Sequence, residues 1–129
     1  MLLDDKKVEM IETDSKLTPT KNIAEFLQTH LGQKMTAYLC GLNDPKNVGQ
    51  WISGRVSPKD LSAMKLRYAY HVSRMIIDAF DDETAKAWLF GTNTRLSDEA
   101  PAFILRHSKT YEDLRRIVPV ARTFATARE

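Results

Sequence analysis

The sequence predicts an all-α protein, and three observations carry that prediction. Apolar residues recur at spacings of three and four in one segment after another, the period of a helix with one buried face. The breaks between these segments hold helix-start and helix-stop residues: Gly32, Asp44-Pro45, Ser57-Pro58, Gly91 and Pro101. No segment alternates apolar and polar residues over a strand's length, and no repeat or low-complexity tract is present. With 43% apolar residues among 129, the chain has enough to bury a core as one compact domain or two very small ones. The expected organisation is a mobile arm over 1–17, a helix-turn-helix bundle over 18–79 and a small helical domain over 80–129.

The elements follow in order. Residues 1–17 show no sustained period and read as an arm with at most a helical turn. In TPTKNIAEFLQTHL, residues 18–31, Ile23, Phe26, Leu27 and Leu31 share one face behind a cap at Thr18 or Thr20. QKMTAYLCGL, residues 33–42, forms a second short helix with Met35, Leu39 and Leu42 inward. Asp44 as cap and Pro45 in the first turn start a third, which runs to about Gly54 with Val48, Trp51 and Ile52 inward. Ser57 as cap, then Pro58 and Asp60, start a long helix to about Ala79, inward through Leu61, Met64, Tyr68, Val72, Met75 and Ile76. Arg67, His71 and Arg74 lie along it as a stripe with the spacing of a solvated face, the alternative being contact with phosphate or a partner. Asp81, Asp82 and Glu83 suit the positive end of a fifth helix carrying Ala85, Trp88 and Leu89. A short helix is expected at 101–107 and another from Thr110, with Asp113 as its capping partner. Pro119 falls inside the final helical pattern, where a kink or a restart near Val118 is expected.

Charge and chemistry narrow the function classes. Residues 1–18 carry three lysines and five acids, residues 19–79 eight cations against four acids, and residues 80–129 eight of each. A basic middle is compatible with a phosphate backbone as partner. No apolar run approaches the roughly 20 residues that span a membrane, so no membrane association is expected. The first residues lack the basic-then-apolar order of a secretion signal. Cys40 is the single cysteine and reads as a small buried hydrophobe in a protein of the reducing cytoplasm. His30, His71 and His107 are scattered without metal-ligand spacing, and no phosphate-binding glycine loop occurs. No enzyme, metal or cofactor is expected.

Residues 33–54 fit a helix-turn-helix: two short helices, small residues Ala37 and Gly41 near the crossing, and apolar anchors on the second helix. The face opposite those anchors presents Lys46, Gln50 and Ser53, with Asn47 at its edge and Arg55 just beyond. Asn and Gln pair with adenine, Arg with guanine, and Lys suits phosphate. The turn LNDP is one residue longer than the commonest form. Gly49 inside the helix costs about 1 kcal/mol relative to Ala, and it either permits close backbone approach or is merely tolerated. The competing reading is a three-helix packing unit with a solvated face.

The stretch AWLFGTNTRLSDEAPAFIL, residues 87–105, makes a corner. Trp88, Leu89 and Leu96 are expected in the core, Asn93 satisfies turn backbone groups, and Pro101 opens the next helix. Together with Ile104-Leu105, this order and spacing resembles the toxin-binding domain of Xre/MbcA/ParS-type antitoxins. Upstream, PKNVGQW followed by SGRVSP is similar to the N-terminal half of MbcA-like members. The resemblance covers roughly residues 24–125. It implies a RES-domain toxin as partner, one that consumes or transfers from NAD and is neutralised by direct obstruction of its pocket. It also implies repression of the operon through operator DNA, by a homodimer or a larger toxin–antitoxin complex. Toxin contacts would come from Phe103, Tyr111, Arg115 and Arg116 on the last two helices, or from Phe124, Arg128 and Glu129 at the end. Residues 125–129 follow what reads as the last apolar anchor, so their loss is expected to spare the fold. The alternatives are a stand-alone helix-turn-helix regulator whose C-terminal domain serves dimerisation, and an adaptor without a DNA role.

Overall fold

The computed structural model describes residues 1–127, and its regular elements are all helical. They are α1 (Asp5–Leu17), α2 (Thr20–Leu31), α3 (Gln33–Leu39), α4 (Lys46–Ser53), α5 (Asp60–Ala79), α6 (Asp82–Phe90), α7 (Pro101–His107), α8 (Tyr111–Arg115) and α9 (Ile117–Thr126). A single 3-10 turn, Thr94–Leu96, lies between α6 and α7. No helix among the described residues is long and apolar enough to cross a membrane.

The long helix α5 is the axis. It packs against α1, α2, α6, α7, α8 and α9, and Leu66, Ala69, Val72, Met75 and Ile76 on it are fully buried. One apolar core runs from Leu3 through Leu27, Leu66 and Leu89 to Ala125. The expected boundary between residues 79 and 80 therefore falls within a shared core.

The largest departure from the sequence reading is at the start. Within residues 1–17, expected as an arm, Asp5–Leu17 form a helix whose Ile11 is fully buried, and the Asp4 carboxylate caps it by accepting from the Lys7 N–H at 2.9 Å. Val8 joins Ile11 in the core, and polar contacts add to the docking. The Arg67 guanidinium donates to the Ser15 and Thr18 carbonyls at 2.9 and 2.8 Å, and Arg74 pairs with Asp14 at 3.0 Å. The stripe of Arg67, His71 and Arg74 is thus not a solvated face but the surface that α1 covers. The Leu3 N–H also donates to the Ala125 carbonyl at 3.0 Å, which ties the start of the chain to α9.

Two helix starts differ as well. No side chain caps α2: Pro19 precedes it, and Thr18 instead ends α1. The α5 helix begins only at Asp60, because Lys59 is extended, and no side chain caps it. Its first turn overhangs the core, which leaves Leu61 39% exposed rather than inward. Elsewhere the punctuation acts as read. The Asp81 carboxylate accepts from the Thr84 N–H at 2.7 Å, and the Thr110 hydroxyl accepts from the Asp113 N–H at 3.3 Å. Pro119 is accommodated by a restart: α9 opens at Ile117, so the proline sits in a first turn whose N–H groups have no intrahelical acceptor.

Candidate functional site

Two surfaces hold the residues of interest. The first is built by α3, the turn after it and α4. Gly41, at φ +76°, closes α3 in a Schellman motif: its N–H bonds to the Tyr38 carbonyl at 3.1 Å, and the Leu42 N–H to that of Ala37 at 2.9 Å. Gly41 is therefore required by the turn, where the left-handed conformation favours glycine. The Asp44 carboxylate then accepts from the Lys46 N–H at 3.0 Å and starts α4. Val48 and Trp51 are buried and Ile52 is half-buried, as their spacing indicates.

On the opposite side Lys46, Gln50, Ser53 and Arg55 are exposed, and Asn47 is half-buried at the edge. Lys46, Arg55 and Lys59 have no ion-pair partner among the described residues. The Ser53 hydroxyl is engaged locally, donating to the Gln50 carbonyl at 3.0 Å, so it serves the helix end as much as the surface.

Two residues that the sequence reading did not single out tie this unit to the other half of the molecule. Arg106, on α7, donates from Nη1 to the Tyr38 and Leu42 carbonyls at 3.0 and 3.2 Å and from Nη2 to the Asn43 side chain at 3.1 Å. Its guanidinium also lies over the Tyr38 ring, 4.7 Å from the centroid. Lys65 is buried and donates from Nζ to the Arg106 carbonyl. Burial pushes the Lys65 ammonium below its ordinary range and pushes the neighbouring Cys40 thiol up to about 12. Cys40 is therefore a packing residue and not a nucleophile at neutral pH. An arginine in the last turn of a helix was the only sequence signal for this linkage.

The second surface surrounds the corner. The Asn93 side chain accepts from the Arg95 N–H at 3.0 Å, and its backbone carbonyl accepts from Leu96 and Asp98, both at 2.9 Å. Leu89 and Leu96 are buried, and Pro101 opens α7. Trp88 is half-buried and packs against the core, and its ring also stands 6.5 Å from that of Phe124. Phe124 in turn stands 5.2 Å from Phe80. The three rings, with Leu2, Asn93 and Val120, line a groove of about 730 Å³ in which Phe80 and Phe124 are 44% and 40% exposed.

Among the described residues, those expected at a toxin interface are exposed, but they do not gather on one surface. Phe103 stacks on His107 at 4.2 Å on α7. Tyr111 and Arg115 on α8 face a different depression, and Arg116 pairs with Glu99 at 3.3 Å. Phe124 alone joins the aromatic groove. Arg128 and Glu129 lie outside the described residues. The expectation that loss of 125–129 spares the fold needs correction, because Ala125 is fully buried and accepts the Leu3 hydrogen bond. A terminal truncation that preserves this anchor must begin after Thr126, which is also buried.

Compared with known proteins, the chain matches no family model, no curated protein and no solved structure.

Proposed function

We propose that the chain is the antitoxin of a type II toxin–antitoxin system. It neutralises a RES-domain, NAD-consuming toxin by binding it and obstructing its active site, and it represses its own operon through α3 and α4. One observation carries this reading. The corner residues that resemble the family's toxin-binding domain, Trp88 and Asn93, wall an open groove together with Phe80 and Phe124. Exposed aromatic residues gathered in a groove are the usual anchors of a protein partner. Support for the DNA role is the outer face of α4, polar and without ion pairs, opposite a helix side anchored by Val48 and Trp51.

The test is co-expression with the product of the adjacent reading frame. Phe124→Ser should lower the melting temperature only modestly, because the ring is 40% exposed and meets Phe80 and Trp88 at the surface, yet abolish capture of the toxin, growth rescue and maintenance of NAD in a protein whose circular dichroism stays helical. Phe103→Ser, in a separate patch, should leave capture intact. If Phe124→Ser still rescues fully, the groove is not the toxin interface. For the DNA role, titration of the operon's own promoter should show a salt slope that falls by about 1 in Lys46→Ala, while Gln50→Ala relaxes sequence preference. Equal, weak binding to promoter and random duplex would remove the repressor role.

The same groove admits a second reading, in which it is covered by another copy of the chain. A stand-alone regulator that dimerises there would lose its dimer, rather than a toxin, on Phe124→Ser.

A further inference from the structure

A cavity of about 360 Å³ opens where α1, α5, α8 and α9 meet. Four cations line it, Lys16, Arg67, Arg115 and Arg122, against the single acid Glu12. None of the four has an ion-pair partner among the described residues. Arg67 is held in place by the two carbonyls it meets on α1, so its orientation is fixed while its charge faces no carboxylate. Positive charge of this density around a concave, partly apolar site focuses its field on the interior.

The remaining walls suit a flat, apolar body. Tyr68 and Tyr111 meet edge to face at 5.5 Å, Arg115 lies over the Tyr111 ring at 5.6 Å, and Val118 and Pro119 complete the lining. His71 also lines the cavity. It is only 6% exposed, and its Nε2, closed off from solvent, has no hydrogen-bond partner among the described residues. Burial holds the imidazole down to about 4, with Glu12 opposing and Arg122 and Lys16 adding to the effect. The ring is therefore neutral at pH 7, with one N–H donor and one acceptor nitrogen.

We infer that this cavity binds a small organic anion: an oxyanion, phosphomonoester or carboxylate, carried on a planar ring and no larger than a mononucleotide. The arginines and Lys16 hold the oxyanion, the tyrosines and Pro119 cover the ring, and the neutral imidazole of His71 forms part of the floor. The volume lies at the small end of the range typical for such ligands. The site is distinct from both the α4 face and the aromatic groove. Occupancy would bear on α8, whose Tyr111 and Arg115 are also candidate toxin contacts.

The test uses the purified full chain alone, without toxin or DNA, so that its outcome is independent of the antitoxin reading. Adenosine monophosphate, salicylate and inorganic phosphate are titrated by calorimetry at low salt, with the His71 imidazole followed by NMR. Adenosine monophosphate or salicylate should bind one per chain at submillimolar concentration, shift the His71 resonances and raise the pH at which they titrate. Inorganic phosphate should bind at least about tenfold more weakly, since it lacks the ring. Arg122→Gln and Arg115→Gln, both on exposed positions, should each weaken binding by about tenfold, the effect of losing one charge-assisted contact. Lys46→Ala should have no effect. Binding of adenosine monophosphate alone assigns a phosphomonoester, and binding of salicylate alone a carboxylate. No saturable binding of either at millimolar concentration, or binding that both arginine variants leave unchanged, overturns the inference.

Discussion

The helices α1 and α4 are both short, and they relate to their neighbours in opposite ways. In α4 the docking surface is written into the helix itself: Val48, Trp51 and Ile52 recur at helical spacing, and polar residues fill the other side. In α1 only Val8, Ile11 and Ser15 are buried among 13 residues, and much of what holds it is supplied by its partner. Arg67 and Arg74 on α5 reach up to Ser15, Thr18 and Asp14, and Lys7 adds a contact to Asp78 at 3.5 Å. A helix that docks through its neighbour's cations need not carry a period of its own. Its presence is encoded instead as a polar stripe on a helix that is otherwise deeply buried, and such a stripe reads as solvated until its cover is known.

The same distinction separates what was legible in the functional surfaces from what was not. The exposure of Lys46, Gln50 and Arg55 followed from one helix's period, and the Asn93 turn followed from local chemistry. Trp88 packs on the core as its spacing indicates, but its place in the groove was not legible, because Phe124 comes from a distant segment. The linkage through Arg106 and Lys65 was invisible for the same reason, since it joins positions 41 to 68 residues apart. Local period and capping chemistry carried the all-α class and most helix boundaries; the grooves exist only once α5 has brought remote residues together.

The largest expected effect bears on the α1 side of this contrast. Ile11 is fully buried, so Ile11→Ala should destabilise the whole chain by about 2–5 kcal/mol, the usual cost of truncating a buried aliphatic side chain. Urea unfolding followed by circular dichroism measures it. A change near zero would restore the mobile arm and remove the distinction between the two helices.

A somewhat smaller effect tests whether α1 shields the stripe beneath it. His71 titrates at about 4 in the folded protein, chiefly through burial, against an ordinary 6.5. The folded state thus binds fewer protons than the unfolded state between those values. Stability from this source is fully present above pH 6.5 and is lost as pH falls toward 4. The shift corresponds to roughly 2–3 kcal/mol lost by pH 4.5. Other groups titrate in the same range, so the comparison is with His71→Phe, whose stability should fall by that much less between pH 7 and pH 4.5. Parallel profiles for the two proteins would mean that the imidazole remains in contact with water and that α1 does not seal it.

The smallest effect has the opposite sign and concerns α4. Gly49 lies in the interior of this helix, between Lys46 and Ser53 on the outward side, where glycine is unfavourable by about 1 kcal/mol relative to alanine. Nothing in the fold demands it. Its backbone angle is ordinary, and the nearest atom that an added Cβ would meet is the Gln33 side-chain nitrogen at 4.0 Å, an ordinary contact distance. Gly49→Ala should therefore raise stability by about 0.5–1 kcal/mol, seen as a higher melting temperature. If the outer face of α4 approaches a DNA backbone closely, the same methyl group should weaken promoter binding, so that stability and affinity move in opposite directions. That divergence would identify a residue kept for a partner at the expense of the fold. If the melting temperature rises while promoter binding is unchanged, the glycine is merely tolerated and α4 does not approach DNA at this position. If the variant is less stable, α4 is constrained by its neighbours on the outward side as well, and its resemblance to a free recognition surface fails.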